Sequence, residues 1–338
     1  MKKRKSLFSP AVGGKSSITK YPVDDYQYYR YIVEPFVHSG PLTIDRLLKF
    51  GKPIGSRFAV IADADPTVVA IWRVWQDPVK RQNCDQFIKH YYDRVTEFAQ
   101  SDVTRETLKD RIKFVNFFDE LKYNFENPYG VTIEHLAAVS LVLRKLVFGG
   151  VVRCNTLGKL NVAVSYDKLI AFPNWQHKWI DLDPLCEVKI ESDYKKCFTT
   201  NFEFDDNSSI DWSQTLVFID PPYYLPYEPG TKRRGVGAMT PAYPGHNVSG
   251  EYTYNLAFDS VKLALERGAK RVVHTNYWCR DMQQAMKYLS HRYNVPVHTT
   301  LIGTLVGMNH SRKNVTNRIE TAWEFGGDRM FEPRKVSL

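Results

Sequence analysis

Cysteine is scarce in this chain and follows no ligand-like spacing. Five occur in 338 residues, Cys84, Cys154, Cys186, Cys197 and Cys279, and no two form a CxxC pair. That argues against a disulfide framework or a zinc site and fits a reducing cytosol. Long apolar runs are missing as well. The opening "MKKRK" leads into Pro10, Gly13 and Gly14 rather than an apolar segment, so no signal peptide is expected. The most apolar helix candidate, "LAAVSLVLRKLVFGG", is broken by Arg144 and Lys145 and is too short to span a bilayer. Internal repeats and low-complexity tracts are absent. The expectation is a soluble, cytoplasmic protein without a membrane partner.

What the chain does hold is apolar and basic. A 43% hydrophobic and 14% aromatic content supports a sizeable core, and the net charge of +9 suits a polyanionic partner. Many cytosolic proteins are basic without such a partner, so charge alone does not decide.

Four short apolar runs end in an acid: "YIVEPF" at Glu34, "FAVIADAD" at Asp63, "EVKIESDY" at Asp193 and "LVFIDPPY" at Asp220. A fifth, "RVVHTN", ends at Asn276. Runs of this length, rich in Val and Ile, predict strands buried on both faces of a parallel α/β sheet. In such sheets ligands sit beyond the carboxyl ends of the strands, which is where all four acids fall. From Pro78 to about Leu146 the pattern turns helical, with "CDQFIKHYYDRVTEFAQ", "RETLKDRIKFVNFFDELKYNF" and "TIEHLAAVSLVLRKLVF". Thr132 and Glu134, after Pro128 and Gly130, mark a helix start. Two short β-prone runs around Gly158, in "VVRCNTLGKLNVAV", predict a hairpin. "VHTTLIGTLVGM" and "NRIETAWEF" predict a closing antiparallel pair of strands.

The turn Asp220-Pro221-Pro222-Tyr223 cannot extend a sheet, because proline lacks the donor and fixes its own φ. A capped strand end is the plainer reading of such a turn. The chemical reading is sharper. The Asp220 carboxylate and the Pro221 carbonyl offer two acceptors for a group with two N–H donors, such as the exocyclic amine of a base, and Tyr223 offers a ring face to stack it. Accepting both hydrogens keeps the lone pair on the nitrogen and improves it as a nucleophile. Asp63 ends the second strand, where an acid commonly binds ribose hydroxyls. Gly13 and Gly14 before Lys15 let backbone approach a ligand closely, although this short motif is not a P-loop. After Tyr223 comes a long Gly/Pro-rich stretch carrying Lys232, Arg233 and Arg234, and a loop of this length inside a compact domain is usually functional or mobile.

The order of these motifs resembles the Dam-type family of DNA adenine methyltransferases. The matching segments are "VGGK", "IVEPFVHSG", "IADAD", the 80–165 region and "IDPPY". The hairpin residues Arg153, Asn155, Gly158, Asn161 and Val162 also match, as do the late "HTNYW" and "RKNVTNRIE" segments. The resemblance implies an α/β fold: a Rossmann-like methyltransferase sheet, mostly parallel with an antiparallel C-terminal strand, plus an inserted helical and β-hairpin DNA-recognition domain. A discontinuous catalytic domain (7–78 and 166–327) would then flank a recognition domain (79–165). It implies methyl transfer from S-adenosylmethionine to the exocyclic amine of an adenine flipped out of double-stranded DNA, with a DNA-associated monomer as the default state. Asp220, Pro221, Pro222 and Tyr223 would form the catalytic turn. Gly13, Lys15, Glu34, Phe36, Asp63, Asp193 and Asp220 would contact the cofactor. Phe148, Arg153, Asn155, Lys232, Arg233 and Arg234 would contact DNA, with Arg153 reading a guanine. For Phe148 core packing is the equal alternative to wedging into the base stack, and for Arg153 a phosphate contact or solvated charge. No metal is implied.

Departures from the family pattern accompany the match. His38 stands where the first glycine of the "EPFxGxG" turn is usual, leaving Gly40 alone. Ala11 stands where tryptophan is usual before the GGK, and Pro10 where a lysine that can touch the recognition site is usual. Gly149 replaces an asparagine in the hairpin approach, Ala163 a proline after Asn-Val, and Asp65 an Asn. Three alternatives stand beside the leading expectation: transfer to a cytosine amine, transfer to adenine in RNA, or a catalytically weak relative that binds DNA.

Overall fold

The computed structural model describes residues 29–49, 57–100, 112–147, 152, 159–181, 186–223, 250–305 and 318–327. Its centre is a seven-stranded mixed sheet. The strands are β1 (Tyr31–Glu34), β2 (Arg57–Ala62), β3 (Cys186–Glu191), β4 (Thr215–Ile219), β5 (Arg271–Tyr277), β6 (Val297–Leu305) and β7 (Arg318–Phe325), in the order β3-β2-β1-β4-β5-β7-β6. β1 to β5 run parallel to one another, and β7 runs antiparallel to both β5 and β6. All five apolar runs read from the sequence are strands, and the closing pair is antiparallel as expected.

The chain leaves β1 towards β2 and β3, then crosses to β4 on β1's other side. The strand order therefore reverses between β1 and β4, and in open α/β sheets ligands bind in the crevice at that point. Helix α1 (Pro41–Lys49) follows β1, and α2 (Pro66–Gln76) follows β2. Asp65 caps α2, its carboxylate accepting from Thr67 N, and Pro66 occupies the first turn where its missing N–H costs nothing.

Alternation along the strands divides the core. Val33, Val60, Val217 and Val272 point into one cluster, under α8 (Gly250–Glu266) and α9 (Arg280–Tyr293). Ile32, Ala59 and Ile61 point to the opposite face and pack with α2. Helices α3 (Pro78–Gln100), α4 (Ile112–Glu126) and α5 (Ile133–Leu146) follow α2. Thr132 caps α5 as expected, accepting from His135 N at 3.3 Å. An unbroken run from Leu136 to Arg144 is buried on α5, which an amphipathic surface helix would not show. The cause is its position: α5 lies against α2 and α3, and Leu136, Ala137, Ala138 and Leu141 join the same cluster as the sheet residues Ile32 and Ile61. One side of α5 therefore shares a core with the sheet, while its other side packs with Tyr91, Phe117 and Leu121 of α3 and α4 in a separate cluster. Beyond α5, an antiparallel bridge between Val147 and Val164 and a bond from Ser165 N to the Leu146 carbonyl close the base of the segment expected to form the hairpin. Short helices α6 (Tyr166–Ala171) and α7 (Lys196–Thr199) complete the fold.

No described helix is long and apolar enough to cross a membrane.

Candidate functional site

The site follows from strand geometry. Glu34 ends β1, while Asp63 and Asp220 each stand one residue beyond β2 and β4. By alternation all three fall on the face opposite Val33, Ala62 and Ile219, at the carboxyl edge of neighbouring strands. The three acids named from the sequence therefore meet around the point where the strand order reverses.

Glu34 is 3% exposed, and its carboxylate accepts from the Thr43 backbone N–H at 3.3 Å and from the Thr43 hydroxyl, both in α1. Burial raises its pKa to about 8; the charges of Asp220 and Asp63 add to this and the Thr43 bonds oppose it. Asp63 is 5% exposed and grips its own surroundings, accepting from His38 N and from Asp65 N at 2.9 Å each. Burial, reinforced by the Asp65 charge, raises it to about 7. Glu34 and Asp63 are thus two buried acids whose surroundings favour the protonated form.

Between these acids runs the turn "EPFVHSG". Within it His38 adopts φ 48°, in the left-handed region that favours glycine. The strain is held from both sides, since its N–H donates to Asp63 and its carbonyl accepts from Trp72 Nε1 at 2.8 Å. The half-buried imidazole is kept neutral, its pKa lowered to about 3 by burial and by the nearby Arg144 guanidinium. Gly40, at φ 54°, has no such latitude, because a Cβ there would overlap the Trp72 indole. Phe36 stacks on Tyr194 at 5.4 Å, joining this turn to the one after β3. Asp193 lies in that latter turn, exposed, with its carboxylate accepting from Lys195 N at 2.9 Å.

Helix α5 reaches the same place. Arg144, 5% exposed, pairs with Asp65 at 3.6 Å and donates to the Ser140 hydroxyl. A guanidinium from the helical region therefore sits beside the turn between β2 and α2.

The Asp-Pro-Pro-Tyr turn forms the other wall. Asp220 accepts from the Thr275 hydroxyl at 2.7 Å, and Tyr223 donates its hydroxyl to Glu320. The Tyr223 ring meets Tyr277 edge-on at 4.7 Å. Tyr277 and Glu320 are cross-strand neighbours on β5 and β7, so the antiparallel pair brings both to Tyr223. Thr43, Trp72, Thr275, Tyr277 and Glu320 were not singled out from the sequence, and Arg144 was read only as a break in an apolar helix. The last three of the five carried a signal, inside the "HTNYW" and "NRIE" segments.

Gly13, Lys15, Phe148, Arg153, Asn155, Lys232, Arg233 and Arg234 lie outside the described residues. Among the described residues no group of three His, Cys, Asp or Glu side chains is placed to hold a metal ion. No protein-family model matches the chain, and no curated protein matches it significantly.

Proposed function

We propose that this protein is a site-specific DNA adenine methyltransferase that uses S-adenosylmethionine and acts on an adenine flipped out of duplex DNA. The observation that carries the reading is the placement of the Asp-Pro-Pro-Tyr turn. It stands at the carboxyl end of β4, directly across the reversal of strand order from Glu34 on β1.

The acidic cluster fits the proposed cofactor. Glu34 and Asp63 are buried and carry raised pKa values. A cationic ligand would favour their ionised forms, as any nearby positive charge does. Glu34 and Asp63 would hold it from the β1–β2 side, with Phe36 as an apolar wall. S-adenosylmethionine supplies, when bound, a methyl group on a cationic sulfonium. The protein's part is to prepare the acceptor. The Asp220 carboxylate and the Pro221 carbonyl receive the two amine N–H groups, keeping the nitrogen lone pair available for the methyl carbon. Tyr223 stacks the extruded ring, which offsets part of the few kcal/mol that unstacking costs. As the amine's carboxylate acceptor, Asp220 takes the proton that the methylated amine must shed.

A second reading, a weakly catalytic DNA-binding relative, draws on one observation: the Asp63 carboxylate already accepts from two backbone N–H groups, that of His38 in the β1–α1 turn and that of Asp65 in its own loop. Calorimetry with S-adenosylmethionine separates the two. Binding in the micromolar range supports the enzyme, and no heat at millimolar cofactor supports the weak relative. The substrate is tested by labelled-methyl transfer to duplex DNA and to RNA; label on cytosine or only on RNA would contradict the proposal.

A further inference from the structure

We infer that the antiparallel end of the sheet sets the geometry of the acceptor turn, with Glu320 as a positioning residue acting through Tyr223 and Thr275 as one acting through Asp220. The inference rests on the adenine-methylation reading and extends it to residues that never touch the base.

Proline fixes φ at the middle of the turn, but it fixes neither the χ angles of Asp220 nor those of Tyr223. An aspartate and a tyrosine at a half-buried strand end each have several rotamers available, and only some present a carboxylate edge and a ring face to the same ligand. The bonds that choose among them come from elsewhere in the chain. Thr275, fully buried on β5, donates to Asp220 Oδ1 at 2.7 Å. Glu320, 7% exposed on β7, accepts the Tyr223 hydroxyl through Oε1. Tyr277, opposite Glu320 in the β5–β7 register, closes the third side with its ring edge at 4.7 Å. Reversal of β7 is what makes this cradle. The strand brings Glu320 to the carboxyl edge of β5 opposite Tyr277, and Glu324 to the other end of β5, where it bonds Arg271 at 3.1 Å. Asp220 is thus oriented by a buried polar group on the neighbouring strand β5, and Tyr223 by one on β7, the strand beyond it. A site that must hold its reacting groups within a fraction of an ångström needs such support.

The test is a double-mutant cycle on methyl transfer to unmethylated plasmid DNA, using full-length protein. Tyr223→Phe removes only the hydroxyl and keeps the ring, so it tests the bond without threatening the fold. Glu320→Ala removes the acceptor, and Glu320→Gln restores one. Each of the first two variants is expected to lower kcat by roughly 10-fold, the worth of one buried bond to a charged acceptor, with KM for DNA unchanged. The double variant should be no slower than either single one, because both remove the same bond. Glu320→Gln should recover most of the rate. Thr275→Val should likewise lower kcat while Thr275→Ser retains it. Additive losses in the double variant, or a Tyr223→Phe enzyme as fast as wild type, would overturn the positioning role while leaving the reaction intact. Wild-type protein that methylates no adenine would overturn the reaction and the inference together.

Discussion

On the β1–β2 side of the crevice, Glu34 and Asp63 are sealed from solvent and held by groups only a few residues or one strand away, namely Thr43, His38 and Asp65. On the β4–β5 side, Asp220 and Tyr223 are half-buried and held by side chains 55 and 97 residues further along the chain. The first wall is closed by its own turns and carries electrostatic tension, with acids driven to about 8 and about 7. The second is open to a ligand and is braced by the far end of the sheet. On the proposed reading, the buried acids of the first wall gain their negative charge as a cationic ligand arrives. If the second wall receives the base, as proposed, its groups must be aimed yet accessible.

The largest effect that would break this contrast lies on the open wall. Asp220→Ala should abolish methyl transfer, by about 10³-fold or more, since it removes one of two acceptors that act only on the reacting amine. Affinity for duplex DNA, measured by fluorescence anisotropy, should change little; surviving activity would remove Asp220 from the acceptor pair. On the closed wall the corresponding disruption is to stability rather than rate. Arg144→Met leaves Asp65 buried without its guanidinium and should destabilise the fold by about 3–5 kcal/mol in denaturant melts. A loss under 1 kcal/mol would mean that α5 does not anchor the β2–α2 turn.

Proton linkage sharpens the contrast further. The Glu34 carboxyl titrates near its ordinary value of 4.5 when unfolded and at about 8 when folded. The folded state therefore favours the protonated form, and the stability this group contributes is present at low pH and lost as pH rises from about 5 through about 8. Glu34→Gln, which cannot ionise, should melt progressively higher relative to wild type across that window. A difference in melting temperature that stays flat with pH would show Glu34 to be ionised throughout. The smallest effect concerns the strained turn. His38→Gly relieves a left-handed φ, offset by glycine's own entropy, and should stabilise by up to about 1 kcal/mol. If the imidazole crowds the cofactor, affinity for S-adenosylmethionine should rise as well; unchanged affinity would show that the side chain stands clear.

The same contrast explains how far the sequence could be read. Strand ends were legible because a Val/Ile run broken by an acid or a proline has few other meanings, and β1 to β5 fall where those runs stood. Glu34, Asp63 and Asp220 were found by the same signal, since each lies on or one residue past its strand. The partners that orient them were not. Nothing local in "HTNYW" distinguishes Thr275 as a donor, and nothing in "NRIE" points Glu320 at a tyrosine 97 residues earlier; both depend on strand pairing. Arg144 was read as a polar break in an apolar helix. Its place beside Asp65 follows from the packing of α5 on α2, which periodicity does not encode. His38 was noticed as a departure, but its left-handed backbone and its two tethers belong to the folded turn.

The central claim is that the turn at Asp220 presents an adenine amine for methylation, and the most direct measurement is the methylated base itself. Wild-type and Asp220→Ala proteins are each expressed in a host that lacks DNA methylation, and the genomic nucleosides are then resolved by mass spectrometry. The account predicts N6-methyladenine with the wild type and none with Asp220→Ala. Methylated cytosine, or no methylated base from a folded wild-type protein, would contradict it.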